Sequence, residues 1–292
     1  MKPSSYLIAL DAGGSSVKSG RVVMDHLVVA SRNDAIDTLA GSDSIIFTLA
    51  QIIATHIDEA KIEPAGVAFS FPGPFDYPNG ICLIQHASHS AGVKYGSLFG
   101  VNLRDALREK LNRPALPIAF RNDAEAAILG EARYGAGKGI HRIIGITLGT
   151  GLGSAFLVNG APQTEGEGVP ADGWLYCMPH HDETADDHFS TRGLLARFKE
   201  HGRDFSSVNA AAKAEDTVTR DVFAAWGTDL GGFLSPFVVA FKADAVIALG
   251  GIALAWERFG PALQRALPAP ALRGALGEEA ALLGAADLLL TS

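Results

Sequence analysis

Two short glycine-rich turns constrain this chain most, because each follows the pattern of a buried strand and leads into another strand. Tyr6-Leu7-Ile8-Ala9-Leu10-Asp11 runs into Ala12-Gly13-Gly14-Ser15-Ser16, and Val17 to Val23 returns as a strand. Much later, Arg142 to Leu148 runs into Gly149-Thr150-Gly151-Leu152-Gly153, and Ser154 to Val158 returns. Glycine is in excess, 33 of 292 residues against about 7% on average. It gathers directly after β-branched apolar runs, where a backbone turns tightly or a ligand comes close. Two hairpins of one kind, each opening a strand-then-helix series, predict an internal duplication.

Neither turn is a P-loop, which needs Gly-Lys-Ser/Thr opening a helix, and no G-x-G-x-x-G joins a strand to a helix. What remains is a hairpin tip that exposes backbone N–H groups, an anion nest. Asp11, at the strand end beside the first nest, has the hard oxygen donors that suit Mg2+ held through water. Gly149-Thr150-Gly151 offers an opposing jaw. The alternative is two tight hairpins in which glycine only permits the turn. A matched pair with an acidic strand end favours the nests.

The remaining chain reads as alternating strands and helices. Residues 41–60 follow a helical period, with Ile45, Ile46, Leu49, Ile52, Ile53 and Ile57 on one face. Ala65 to Ser70 reads as a strand broken by Pro72-Gly73-Pro74, and Phe75 to Gly100 as an irregular surface segment. Leu103 to Leu111 reads as a helix and Pro117 to Phe120 as a strand, with Asn122-Asp123 capping a helix from Ala124 to about Tyr134. The final third reads as helical apart from Ala245 to Leu249 with Gly250-Gly251, and 275–290 is the last helix.

At roughly 150 residues per domain the length predicts two. The boundary falls near 118–121, giving domains 1–120 and 121–274, with helix 275–290 returning to the first. The balance of 24 Lys+Arg against 32 Asp+Glu, net −8, argues against a nucleic-acid partner, whose footprint is basic. Two cysteines imply no disulfide framework. No signal-peptide pattern and no unbroken apolar run of about 20 residues are evident. The expectation is a soluble, cytoplasmic protein without a membrane partner.

Asp11-Ala12-Gly13-Gly14-Ser15-Ser16-Val17-Lys18 closely resembles the D-x-G-G-T-x-x-K phosphate loop of the ROK family of sugar kinases and repressors. Asn122 to Glu131 resembles its N-D-A-N-A-A-x-x-G-E segment, Leu148 to Gly153 its second phosphate loop, and Leu249 to Ala253 its adenosine motif. Phe71-Pro72-Gly73-Pro74-Phe75-Asp76 resembles the P-G-P-x-D segment near the sugar. The ordered set implies the α/β, two-domain, actin-like ATPase (ribonuclease H-like) fold, with a ligand cleft between the domains. It also implies an ATP- and Mg2+-dependent kinase phosphorylating a hydroxyl of a hexose or hexose derivative. By resemblance Asp123 is the base toward the sugar hydroxyl, Asn122 and Gly73 lie at the sugar, and Asp11 holds Mg2+. Gly13, Gly14 and Ser15 form one phosphate jaw, Gly149, Thr150 and Gly151 the other, and Gly250 and Gly251 admit adenine. Lys18 stays undecided between phosphate and solvent. A homodimer is expected on resemblance alone.

The chain departs from the family where many members carry E-x-G-H and a C-x-C-G-x-x-G-C zinc site. Here the stretch reads Ala171-Asp172-Gly173-Trp174, and the cysteine cluster is missing. Asp186-Asp187-His188-Phe189-Ser190 aligns loosely with E-x-x-x-S, placing Asp186 at the sugar. Cys177, His180, His181 and His188 have zinc-ligand chemistry but no common finger spacing, so incidental histidines are the preferred reading. His86-Ala87-Ser88-His89-Ser90 lies where the family's sugar loop lies, and Trp174 reads as core. A ROK repressor needs an N-terminal DNA-binding helix-turn-helix, and with the phosphate loop starting by Asp11 a repressor is not the expectation. The alternative to a kinase is a weak or inactive sugar- or nucleotide-binding ROK protein acting as a sensor.

Overall fold

A computed structural model of the chain describes residues 6–23, 26–85 and 93–290. The chain divides into two compact units. The first runs to Gly130 and resumes at Glu278; the second is Glu131–Gly277.

In the first unit, β1 (Leu7–Ala12) is buried almost throughout, as an interior strand covered on both faces must be. β2 (Ser16–Val22) and β3 (Val28–Ala35) follow antiparallel. Helix α1 (Ser42–Ala60) buries the isoleucine face read from its period. β4 (Gly66–Phe71) is wholly buried, and β5 (Phe75–Asp76) pairs with β6 (Ile81–Cys82) in a small hairpin. Helix α2 (Leu103–Lys110) and β7 (Ile118–Asn122) complete a sheet of order β3-β2-β1-β4-β7. β1, β4 and β7 run parallel. Helix α3 (Asp123–Tyr134) leaves the end of β7 and carries the chain past Gly130.

The second unit repeats this plan. β8 (Arg142–Leu148), β9 (Leu152–Val158) and β10 (Ala161–Gln163) are antiparallel. A hairpin of β11 (Pro179–His180) and β12 (Glu183–Thr184) precedes the helices α4 (Ala185–Phe189), α5 (Thr191–Glu200), α6 (Val208–Ala212) and α7 (Thr217–Phe241). β13 (Ala245–Leu249), α8 (Trp256–Ala266) and β14 (Ala271–Arg273) follow. The sheet order is β10-β9-β8-β13-β14, with β8, β13 and β14 parallel. Strand for strand this is the order of the first sheet, in keeping with the duplication that the paired turns suggest. α7 is long and apolar enough to cross a membrane by length and composition, and its Val222, Phe223, Trp226, Leu230 and Leu234 lie inside this unit's core.

Helix α9 (Glu279–Leu290) then packs on β4, β1 and β7 of the first unit. Residues 8 and 10 of β1 face α1, and the small Ala68 on the other face makes room for Ala285.

Several elements differ from the sequence reading. β7 extends to Asn122 because it pairs with β4 as far as Phe71↔Asn122. The catalytic candidates Asn122 and Asp123 therefore lie in the first unit, whose boundary falls at Gly130 instead of residue 120. β3 and β14 carry no strand signal in sequence; both lie at the edges of their sheets. The last helix begins at Glu279, not 275. Part of the expected surface segment is interior, since Tyr95 and Leu98 are fully buried.

Candidate active site

In the first unit, three parallel strands end side by side, and each delivers candidate residues at its carboxyl end, where open α/β sheets bind ligands. Asp11 closes β1 opposite Ser70 of β4, and Asn122 ends β7 opposite Phe71. Ser70 Oγ donates to Asp11 Oδ1 at 2.6 Å. Burial pushes the Asp11 carboxyl above its usual range, against that hydrogen bond, and the charge of Asp123 pushes the same way. The turn after Asp11 is closed by Gly13 N–H donating to Asp11 O and Ser16 O. A β-carbon on Gly13 would meet Ser16 O at 2.8 Å, so glycine is required there. Among the described residues the N–H groups of Gly14 and Ser15 donate to no backbone acceptor, the open donors of an anion nest.

Asn122 caps α3: its Oδ1 accepts from Glu125 N–H at 3.1 Å. Asp123 is thus the first helical residue, not part of the cap, and its Oδ1 accepts from Ala124 N–H at 2.9 Å. Asp123 is open to solvent, yet desolvation by the protein around it raises its carboxyl above the usual range, against hydrogen bonds that favour the ion. The other face of Asn122 is fixed by a residue the sequence did not single out. Asn122 Nδ2 donates to Tyr77 Oη at 3.1 Å, and Tyr77 Oη donates to Phe71 O at 3.1 Å. Gly73 sits against this pair; a β-carbon there would lie 3.2 Å from Tyr77 Oη and 3.8 Å from Asn122 Nδ2. Asp11, Gly13, Gly14, Ser15, Gly73, Asn122 and Asp123 are therefore all carried by one unit.

The second unit carries the others. Gly149 O accepts from both Thr191 N–H (2.7 Å) and Thr191 Oγ1 (2.8 Å), which anchors the turn to α5 and leaves Thr150 exposed. β13 ends in register with Thr147 of β8, so Gly250 emerges against Leu148. Gly250 has φ +96, and a β-carbon would lie 2.6 Å from Leu148 O. No other residue fits that close crossing of two strand ends. Asp186, expected at the sugar, holds the turn. Its Oδ1 accepts from Leu152 N–H at 2.7 Å and its Oδ2 from Arg192 at 3.2 Å.

The histidine group resolves differently from its sequence spacing. His180 Nε2 and His181 Nε2 lie 3.2 and 3.6 Å from one oxygen of Asp229, and Arg197 donates to the other oxygen at 2.9 Å. His180, His181 and Asp229 are the group whose geometry can hold a metal among the described residues. Asp229 comes from α7, which no local spacing could show. Cys177 stands apart, its thiol on Trp174 O, and His188 faces Glu183. Burial lowers the His180 pKa, with Asp229 opposing. Trp174 is not core: it is 47% exposed beside the 42% exposed Tyr176, ring centroids 5.8 Å apart. The segment from His86 to Ser90 lies outside the described residues.

The chain is similar in fold to a ROK family glucokinase from Streptomyces griseus solved in complex with glucose and AMPPNP, with a TM-score of 0.75 and 22% identity over 99% of this chain and 100% of that one. In sequence it is 34% identical over 167 residues to the polyphosphate glucokinase of Mycobacterium leprae, covering 56% of this chain and 48% of that protein. It is 29% identical over 172 residues to the glucokinase of Thermotoga maritima, covering 58% and 50%. The chain spans about half the length of the curated relatives it matches. The model of the ROK family matches residues 8–291, through both units and every turn described above, and the chain belongs to that family.

Proposed function

We propose that this chain is a sugar kinase that moves the terminal phosphoryl group of ATP to a hydroxyl of a hexose or hexose derivative. One observation carries the reading: Asn122 ends β7 and Asp123 opens α3 right after it, at the same end of the sheet as Asp11 and its open-donor turn, so a base, a sugar-binding amide and a phosphate nest share one set of strand ends. The names of the similar proteins, glucokinase above all, make glucose the first sugar to test.

The chemistry needs few groups. The sugar oxygen forms a bond to phosphorus as its proton passes to the Asp123 carboxylate, and the bond from phosphorus to the departing ADP oxygen breaks. Such transfer is mostly positioning and charge neutralisation. The helix N-terminus under Asp123 favours its ionised form, and Tyr77 holds Asn122 for the sugar hydroxyls. Asp11 suits Mg2+: Ser70 takes Oδ1, while Oδ2 accepts from no donor among the described residues. Held there through water, the ion would neutralise phosphate charge. In the second unit Gly149, Thr150 and Gly151 meet phosphate, Gly250 and Gly251 admit the adenine, and Asp186 supports the Gly149 turn.

The test is ADP release with ATP and Mg2+ across hexoses, ketohexoses, N-acetylated hexosamines and sugar phosphates. Turnover on one sugar is expected, with Asp123→Asn lowering it by about 100-fold or more while ATP binding persists. ATP binding without turnover on any sugar would put the sensor reading in its place.

A further inference from the structure

The family-like motif offers Lys18 as the cation of the first phosphate turn, but Lys18 is engaged elsewhere. Its Nζ lies 2.6 Å from Glu278 Oε1, just before α9. A different lysine lies on the turn. A β-carbon built on Gly14 would run into Lys94 Nζ and stand 3.0 and 3.1 Å from its Cε and Cδ. Gly14 has no positive φ. Its missing side chain is therefore the space through which the Lys94 stem crosses the turn.

The backbone under Lys94 is tied to that turn by buried groups. Tyr95 Oη donates to Gly13 O at 2.8 Å, Tyr95 N–H donates to Thr38 O at 2.7 Å, and Thr38 Oγ1 donates to Gly14 O at 3.0 Å. Tyr95 and Thr38 are both buried, whereas Lys94 is exposed. Among the described residues no carboxylate pairs with its ammonium. A cation without a carboxylate partner among the described residues thus lies against Gly14, in the turn whose Gly14 and Ser15 N–H groups are open, in a chain of net charge −8. That combination of nest and point charge recognises a phosphate group.

We propose that Lys94 is a phosphate-contacting residue of this site, its ammonium meeting an oxygen of the donor's terminal phosphoryl group where the Gly14 turn presents its N–H groups. The inference rests on the kinase reading for the identity of the donor. No proton moves in this role; the lysine stays charged and offsets the negative charge of the phosphoryl group.

Binding titrations without sugar test it, so a failure to phosphorylate any sugar leaves the result readable. ATP, AMP and inorganic polyphosphate are the probes, against wild type, Lys94→Ala, Lys94→Arg and Gly14→Ala. Lys94→Ala is expected to weaken ATP by about 10- to 100-fold, the range for a charge-assisted contact, with AMP unchanged and Lys94→Arg largely restored. Gly14→Ala meets only the flexible end of Lys94, so it folds and reproduces the ATP loss by pushing the ammonium away. A matching loss on polyphosphate would show that its phosphates meet the same lysine, in support of the proposal. Equal binding of both phosphate-chain probes by wild type and Lys94→Ala overturns the proposal. So does a loss on AMP as large as on ATP, or unchanged ATP binding by Gly14→Ala.

Discussion

As the proposed base, Asp123 would have to be ionised to accept a proton, yet its surroundings favour the neutral acid. A carboxyl whose pKa rises on folding holds its proton more tightly in the folded chain. Its ionisation therefore costs stability. The cost is absent below the unfolded value of about 3.9 and complete above the raised folded value. Asp123→Asn should accordingly melt higher than the wild type near pH 7, with the difference closing toward about pH 3; a lower melting point near pH 7 would contradict this. In the active protein the acid limb of kcat/KM should sit above the ordinary carboxylate range, read from a pH–rate profile. Glu131 shows the opposite use of a carboxylate. It is fully buried and accepts from the N–H groups of Ala136 (3.0 Å), Ala275 (2.9 Å) and Leu276 (2.7 Å). Glu131→Ala strands three donors and should cost about 3 kcal/mol or more by urea unfolding, with Glu131→Gln recovering part of it.

Helices α3 and α9 meet backbone to backbone in the first unit. A β-carbon on Gly284 would overlap Ala126 O, and one on Gly130 would overlap Ala280 O. Neither glycine has a positive φ, so the requirement is closeness of approach. Gly284→Ala must force the helices apart, and about 3 kcal/mol of lost stability is the expected scale for overpacking that backbone cannot relieve. A denaturant midpoint equal to the wild type would show that the pair can slide. Elements were legible where their own residues decide them: the isoleucine face of α1 and the apolar runs of β1 and β8. β3 left no such trace. Its side chains are mostly exposed, and it is a strand because β2 offers it a ladder.

Across the molecule, two units share one sheet order although α9 reaches the first only after the second is complete. The small residues of β4 and α9, Ala68 and Ala285, pack together in the first unit. Ending the chain at Gly277 would bare that sheet face. The expected outcome is proteolysis of the first unit under conditions where Glu131–Gly277, with its own core around Phe156, Phe189 and Trp226, resists. Equal resistance of both units would show that α9 is dispensable.

The local order of apolar strand, glycine turn and returning strand was written in the sequence, as was the helix start at Asn122 and Asp123. Strand periodicity and turn chemistry depend on neighbours a few residues away. Tertiary structure decided which partner each long polar side chain takes. Lys18 meets Glu278, Lys94 reaches the Gly14 turn, Asp186 supports the second turn and Trp174 faces solvent. Those choices turn on residues brought close by sheet pairing and by the return of α9, and a side chain's partner across that distance has no signature in the order of its own neighbours.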